Sequence, residues 1–88
     1  MLNNFTIVGK VSVISEKNSD YPGFYIEPHT ETGELIPISI NKDTYLISVL
    51  EQLKNGMLVC VNGKIKMCTE DVKVVIKLVA DKVAIINK

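Results

Sequence analysis

The chain has 88 residues, ten lysines, no arginine, ten acidic residues and a formal net charge of zero. This length makes one domain, residues 1–88, and a hydrophobic fraction of 47% excludes a disordered chain. No apolar run approaches the roughly 20 residues of a membrane span and the N-terminus has no signal-peptide pattern, so we expect a cytoplasmic protein without a membrane partner.

The first predicted strand covers residues 3–15, where successive positions alternate between two faces. The expected core face is Phe5, Ile7, Gly9, Val11 and Val13, and the expected outward face is Thr6, Val8, Lys10, Ser12 and Ile14. A polar segment over residues 15–23, rich in Asn, Ser, Asp, Pro and Gly, predicts a loop after this strand.

Two shorter strands are predicted next. Residues 24–27 predict the second strand, in which the adjacent Phe24 and Tyr25 face opposite sides. Residues 35–40 predict the third strand, with Ile36, Ile38 and Ile40 on one side. Pro37 lacks a backbone N–H and therefore indicates that one edge of this strand is unpaired.

A helix is predicted over about residues 43–54, capped by Asn41 or Asp43. Its apolar stripe, at positions i, i+3, i+4 and i+7, is Leu46, Val49, Leu50 and Leu53. Tyr45 opens the helix and is expected to pack against the protein. Gly56 is predicted to close the helix, because glycine readily takes the left-handed conformation of a helix C-terminus.

The fourth and fifth strands follow. Residues 57–67 predict the fourth, with Met57, Val59, Val61, Ile65 and Met67 inward and Leu58, Cys60, Asn62, Lys64 and Lys66 outward. Residues 68–71 predict a tight turn. Residues 72–80 predict the fifth strand, with Val72, Val74, Ile76 and Leu78 inward and Lys73, Val75, Lys77 and Val79 outward. Residues 80–82 are expected to break this strand and residues 83–86 to extend it.

The predicted order of elements is β-β-β-α-β-β. Three strands, a helix and two further strands is the order of the OB-fold, a five-stranded Greek-key barrel. We therefore expect an all-β domain with one helix, placed between strands three and four.

The sequence contains little that indicates a catalytic site or a metal site. Cys60 and Cys68 lie about 26 Å apart on a straight strand, too far for a disulfide, and no Cys-x-x-Cys pair or histidine partner is present. His29 and the acids Glu27, Glu31 and Glu34 are interpreted as a solvated turn. Because no Ser-His-Asp set, phosphate loop or carboxylate pair can be assembled, we expect neither an enzyme nor a cofactor or metal.

Three segments carry a recognisable pattern in the right order. Residues 4–11, NFTIVGKV, are similar to an opening strand of the form N-x-hydrophobic-x-L-V-G-R/K-L. Residues 53–65, with LKNG and then V-x-V-x-G-K-I, are similar to Y-L-x-K-G-x-x-V-x-V-x-G-R-L, and residues 79–83, VADKV, to V-A-D-x-V/I. These patterns cover nearly the whole chain, which therefore resembles the bacterial single-stranded DNA-binding protein family. The resemblance implies an OB-fold that binds single-stranded DNA in replication, recombination or repair.

The sequence also departs from that family. It has no tryptophan; Ile36 stands at the position most like the stacking tryptophan, and Lys42 where the family often has an aromatic residue. The two long hairpins of the family are expected to be short turns here. The acidic C-terminal tail, which recruits other replication proteins, is expected to be absent. We therefore expect a minimal, tail-less member, similar also to the small primosomal replication protein of the same lineage, which relies more on lysines than on stacking.

Lysines and tyrosines are the candidate nucleic-acid-binding residues. The lysines on the outward register of strands one, four and five are Lys10, Lys64, Lys66, Lys73 and Lys77. Because these strands are neighbours in an OB barrel, their ammonium groups are expected to form one stripe that tracks phosphates. Tyr21, in the first loop, and Tyr25, in the second strand, are candidates for stacking on bases. The alternative for the lysines is that they only keep exposed strands soluble and protect their edges.

The preferred interpretation is largely sequence-independent binding of single-stranded DNA. Since the family dimerises through its first strand and residues 4–14 are uncharged apart from Lys10, we expect a homodimer or tetramer formed through that strand. The alternative is an OB-fold module that docks a replication or primosome protein and has little DNA affinity, which suits a chain of zero net charge. An RNA-binding protein of the cold-shock type is a third possibility, although its aromatic strand motifs are missing.

Overall fold

The computed structural model describes residues 3–16, 18–28 and 33–87. The elements are β1 (Asn4–Ile14), β2 (Gly23–Pro28), β3 (Ile36–Ser39), α1 (Leu46–Gln52), β4 (Leu58–Glu70) and β5 (Lys73–Asn87). The strands close into a barrel in the order β1-β2-β3-β5-β4, and β4 pairs back onto β1. The predicted five-stranded barrel with one helix between β3 and β4 is therefore confirmed.

The barrel interior holds a single apolar core. Its buried strand residues include Val11, Phe24, Ile26, Ile38, Val59 and Val61. Leu46 and Leu50 from α1 and Leu53 just after it bury their side chains in the same core. The alternation of the strands and the i, i+4 spacing of the leucines thus correctly predicted the residues that fill the centre of the barrel.

The barrel wall is closely packed at Gly63 in β4. The register between β4 and β5 shifts there, and the backbone of Val79 and the ring of Phe5 lie against the glycine. A Cβ at this position would stand 2.7 Å from Cε1 of Phe5 and closer still to the carbonyl oxygen of Val79. A side chain does not fit, which explains a glycine within an otherwise apolar row.

The end of β1 differs from the prediction. A bulge between Ser12 and Ile14 shifts the register against β2, and Val13 adopts a φ of 38°. The extra residue exchanges the two faces of the strand, because side chains alternate with a period of two. Val13, predicted inward, is therefore 56% exposed, and Ile14, predicted outward, packs against the core.

The helix is shorter than predicted at both ends. Residues 42–45 form a turn instead, in which the Asp43 N–H donates to Oδ1 of Asn41 at 2.9 Å. At the other end, Leu53 is extended, with φ −73° and ψ 144°. Gly56, with a φ of 93°, does not close the helix; it lies in a separate turn, and its N–H donates to the carbonyl of Val11 at 2.8 Å.

The hairpin between β4 and β5 also differs from the prediction. Residues 68–70 continue β4 rather than forming a turn, and the two strands are joined only by Asp71 and Val72. Residues 80–82 do not break β5. A bulge leaves Asp81 without an opposite residue, and the strand continues to Asn87.

Residues 65–78 extend beyond the barrel as a two-stranded ribbon, here called the arm. The arm begins after Gly63 and Ala80, which face each other and are both buried. Five residues predicted to point into the core are instead exposed: Ile65 (38%), Met67 (73%), Val72 (95%), Val74 (64%) and Ile76 (66%). The alternation correctly separated two faces, and Leu78 at the base of the arm still packs against the core. Beyond it, β4 and β5 are longer than the barrel, so the inward face of the arm is exposed.

Candidate nucleic-acid interface

An open groove of about 760 Å³ lies between the arm, the β1–β2 loop and the segment after β3. Its aromatic and charged lining residues are Asp20, Tyr21, Lys42, Asp43, Lys66 and Lys77. Three of these, Tyr21, Lys66 and Lys77, were predicted as binding residues from the sequence, and the fold brings them together.

Lys66 and Lys77 face each other directly across the β4–β5 ladder. Directly opposite residues of an antiparallel pair share one face with Cβ atoms about 4.5–5.5 Å apart, so both lysine side chains leave the strands on the groove side. The Nζ of Lys77 lies 5.6 Å from the centre of the Tyr21 ring, within the range of a cation–π contact. The groove therefore places two lysine side chains and an aromatic ring on one surface, with the ring next to one of the two cations.

The β1–β2 loop presents Tyr21 to the groove. The Gly23 N–H donates to Oγ of Ser15 at 2.8 Å, and the Ser15 N–H donates to the carbonyl of Gly23 at 2.9 Å, which fixes both ends of the loop. Next to the tyrosine, Pro22 is buried and its carbonyl accepts the N–H of Ile40 at 3.0 Å. The Tyr21 ring itself is 80% exposed. The backbone is therefore held while one aromatic face stays open to a ligand.

Two further predicted lysines lie on the groove face of β4 and β5. Lys64 lies opposite Val79, which lines the groove, and Lys73 lies opposite residue 70 near the tip. Residues two apart on a strand lie about 6.6 Å apart on one face, so Lys64 is next to Lys66. Lys73 is four residues from Lys77, at about 13 Å. Four of the five predicted lysines thus follow one face of β4 and β5.

Lys10 does not join this row. It pairs with Leu58 of β4 on one side and with Glu27 of β2 on the other. Leu58 lies eight residues before Lys66, about 26 Å along the strand. The predicted single stripe of five lysines is therefore wrong, because β1 carries Lys10 to the opposite end of the barrel.

Tyr25 extends the surface around the barrel. It is 41% exposed on β2, opposite Pro37 of β3. A smaller cavity of about 190 Å³ is lined by Val13, Tyr21, Tyr25 and Pro37, so Tyr21 belongs to both the groove and this cavity. The two predicted stacking residues therefore lie on one continuous surface.

The groove also contains residues that the sequence did not reveal as part of a site. Nζ of Lys42 lies 3.7 Å from Oδ1 of Asp20, in an ion pair in which the Lys42 side chain is about half exposed and the Asp20 side chain is largely exposed. Asp43 lies on the same side of the groove. These three residues come from two loops, with Lys42 22 positions after Asp20 in the sequence, and only the closure of the barrel brings them together. Ile36, at the position most like the stacking tryptophan, is half-buried against the core and does not enter the groove lining.

Another aromatic residue considered from the sequence, Tyr45, does not line the groove. Tyr45, expected to pack, is 63% exposed, and its hydroxyl donates to the carbonyl of Asp81 at 3.4 Å.

Cys60 and Cys68 are free thiols. In the described part of the chain, no three His, Cys, Asp or Glu side chains form a group that could hold a metal, and no helix is long and apolar enough to cross a bilayer. His29 and Glu31 lie outside the described residues.

Comparisons with known proteins support the fold. No protein-family model and no curated protein matches the sequence. Among solved structures, the mitochondrial single-stranded DNA-binding protein of S. cerevisiae is similar, with a TM-score of 0.75 and 18% identity over 99% of this chain and 96% of that chain. An OBody bound to hen egg-white lysozyme is similar too, with a TM-score of 0.76 and 15% identity over 97% of this chain and 94% of that chain. The chain thus has an OB-fold like that of single-stranded DNA-binding proteins, while membership of the bacterial family stays a prediction.

Proposed function

We propose that this protein binds single-stranded DNA, largely independently of sequence, in DNA replication, recombination or repair. The observation that carries the proposal is the convergence of Lys66, Lys77 and the exposed ring of Tyr21 in one open groove. Ammonium groups pair with phosphates of any sequence, and an aromatic ring stacks on any base. Neither contact reads base edges, which is why we expect little sequence preference.

The groove suits a single strand better than a duplex. Tyr21 needs a base whose flat face is accessible, and such faces are accessible in single strands but occupied by neighbouring bases in a duplex. The lysines of the arm follow the strands at intervals of about 6.6 Å or more on one face, which gives an extended backbone several successive partners. Tyr25, further along the same surface, provides a second ring for the strand.

We expect binding of moderate strength with a clear dependence on salt. Three or four phosphates neutralised by Lys64, Lys66, Lys73 and Lys77 correspond to a slope of about −2 to −3 in a plot of log K against log salt. Between 50 and 200 mM salt, affinity should therefore fall roughly 20- to 50-fold. The carboxylates of Asp20 and Asp43 in the groove repel phosphates. We therefore expect a lower affinity for DNA than the four lysines alone would give.

The test is fluorescence anisotropy of a labelled oligo-dT of about 30 nucleotides, titrated at two salt concentrations. Lys64→Glu together with Lys66→Glu should lower affinity several-fold and flatten the salt slope by about 1.4, because two phosphate contacts are lost. The matched control is Lys10→Glu with Lys54→Glu, which changes the charge equally at exposed positions near the far end of the barrel. Equal effects of the two pairs would contradict a local site, and no binding by the wild type at low salt would contradict the function.

A protein-interaction module is the second candidate, and the exposed apolar side chains of the arm favour it. The clustering of the lysines argues for the first candidate, because a surface adapted to a neutral protein partner does not require four ammonium groups on one face. In the anisotropy test, a wild type that fails to bind the oligonucleotide would transfer support to this alternative.

We also propose self-association through the first strand. Residues 4–8 of β1 pair with β4, whereas pairing with β2 begins only at Gly9. Within the described residues, no strand pairs with the second edge of residues 4–8, which is the edge that a second copy would meet, and Val8 is 43% exposed beside it.

A further inference from the structure

The barrel wall opens between β3 and β5. In the described part of the chain these two strands run parallel and pair at one position only, Ser39 opposite Val79. Pro37, two residues before Ser39, has no backbone N–H, which removes a donor that a longer ladder would need. A cleft of about 420 Å³ lies between the strands on this side of the pair, and its lining residues are Pro37, Ser39, Val75, Ile76, Lys77 and Leu78.

The chemistry of this cleft is mixed. Four of its lining side chains are apolar, and the other two are the hydroxyl-bearing Ser39 and the cationic Lys77. Pockets that hold small ligands measure about 300–1,000 Å³ and have this kind of lining, mainly apolar with a few polar groups that orient the ligand. Because the lining is not purely apolar, it suits a ligand with apolar faces and polar edges better than a purely apolar one.

The cleft adjoins the groove described above. Ser39 and Lys77 line both spaces, and the Nζ of Lys77 lies 5.6 Å from the centre of the Tyr21 ring. The small cavity beside Tyr25 also reaches Pro37 and Ser39. A nucleic-acid strand that follows the two tyrosines to Lys77 therefore passes the cleft, and a group that projects from that strand can enter it.

We propose that the cleft between β3 and β5 holds one base of the bound strand, while a neighbouring phosphate pairs with Lys77; this rests on the DNA binding proposed above. A nucleobase has two apolar faces and a polar edge, which match the apolar lining and the Ser39 hydroxyl. A hydroxyl both donates and accepts hydrogen bonds, so it can pair with the edge of any base and needs no particular sequence. Turning a base out of its stack costs least in a strand that is already single.

Intermolecular NOEs test where the base lies. With ¹³C-labelled isoleucine, leucine and methionine methyl groups and an oligo-dT of about ten nucleotides, NOEs to thymine protons are expected at Ile76 and Leu78. Met67 is the internal control, because it lies opposite Ile76 on the ladder and is 73% exposed but does not line the cleft. Its methyl group should show no NOE to thymine, whereas DNA that merely covered the exposed face of the arm would contact Met67 as well.

Shortening Ile76 tests whether the base contributes to affinity. Ile76 lines the cleft but not the groove, so Ile76→Ala should leave the salt slope unchanged. Affinity for oligo-dT should fall about 3- to 10-fold, as for the loss of about 30–55 Å² of buried apolar surface. Met67→Ala, the matched control, should bind within about twofold of the wild type. On an oligonucleotide of equal length without bases, the wild type and Ile76→Ala should bind equally, because the cleft has no base to hold.

The outcomes separate this base subsite from the DNA-binding function itself. Oligo-dT that binds without thymine NOEs to Ile76 and Leu78 would overturn the subsite and leave the function in place. The same holds if Ile76→Ala has equal effects on oligonucleotides with and without bases, or if Met67→Ala weakens binding as much. A wild type that does not bind oligo-dT at low salt would instead overturn the function, and the subsite with it.

Discussion

Replacing Tyr21 by alanine isolates the aromatic part of the proposed DNA site. The ring is 80% exposed, so its removal should change the free energy of unfolding by no more than about 0.5 kcal/mol. Stacking of one base on an aromatic side chain contributes about 1–3 kcal/mol, so oligo-dT affinity should fall roughly 5- to 150-fold. Since the ring carries no charge, the salt dependence of binding should keep its slope. Fluorescence anisotropy at several salt concentrations measures both quantities on the same protein.

Two controls separate stacking from other effects of the substitution. Tyr21→Phe keeps the ring and should bind within about twofold of the wild type. Tyr45→Ala removes another largely exposed tyrosine that does not line the groove, and it should also leave affinity unchanged. If Tyr21→Ala lowers affinity by less than threefold, or if Tyr45→Ala lowers it as much, the assignment of Tyr21 as the stacking residue is wrong.

The fold makes two further predictions for urea unfolding. Gly63→Ala should lower the free energy of unfolding by several kcal/mol, because the added Cβ meets the Phe5 ring and the β5 backbone. Gly56→Ala should cost only about 1 kcal/mol of backbone strain, because no atom lies within 4 Å of the added Cβ. Similar losses of stability from the two substitutions would contradict the close approach at Gly63. Leu50→Ala should lower the free energy of unfolding by about 2–5 kcal/mol and Val74→Thr by no more than about 0.5 kcal/mol. A large loss from Val74→Thr would mean that this face of the arm is covered within the monomer.

The order of the elements was predictable because it depends on local patterns. The alternation around Val59 and Val61 and the helical spacing of Leu46 and Leu50 reflect which side chains meet the core. A bulge such as that at Val13 is not visible in such a pattern, since one inserted residue reverses the two faces without changing the composition.

The arm shows a different limit of sequence patterns. Alternation separates Met67 and Ile76 from Lys66 and Lys77, but it does not say whether either face is covered. Coverage depends on how far the strands run past the barrel, and the strand length was underestimated because residues 68–70 resembled a turn.

The candidate site was predictable for residues on strands and for Tyr21, which lies in a loop that OB-folds commonly use for contacts. Lys66 and Lys77 were identified because their register placed them outward on neighbouring strands. Lys42, Asp20 and Asp43 were missed because loop residues have no register, and their approach depends on how the barrel closes. Lys10 was misplaced for a related reason: it is outward on a neighbouring strand, but the register of β1 against β4 sets it far from the other lysines.

A net charge of zero does not conflict with an anion-binding groove. The net charge sums over the whole chain, whereas a bound anion responds to the charged side chains close to it. At physiological ionic strength, charges more than about 8 Å apart are largely screened, so a phosphate in the groove responds mainly to the nearest side chains. Lys66 and Lys77 lie opposite each other on the β4–β5 ladder and both line the groove, so both are among the side chains nearest to an anion bound there. A phosphate in the groove gains attraction from both lysines, and the Tyr21 ring lies next to one of them. The arrangement of charges therefore favours an anion in this groove even though the chain as a whole is neutral.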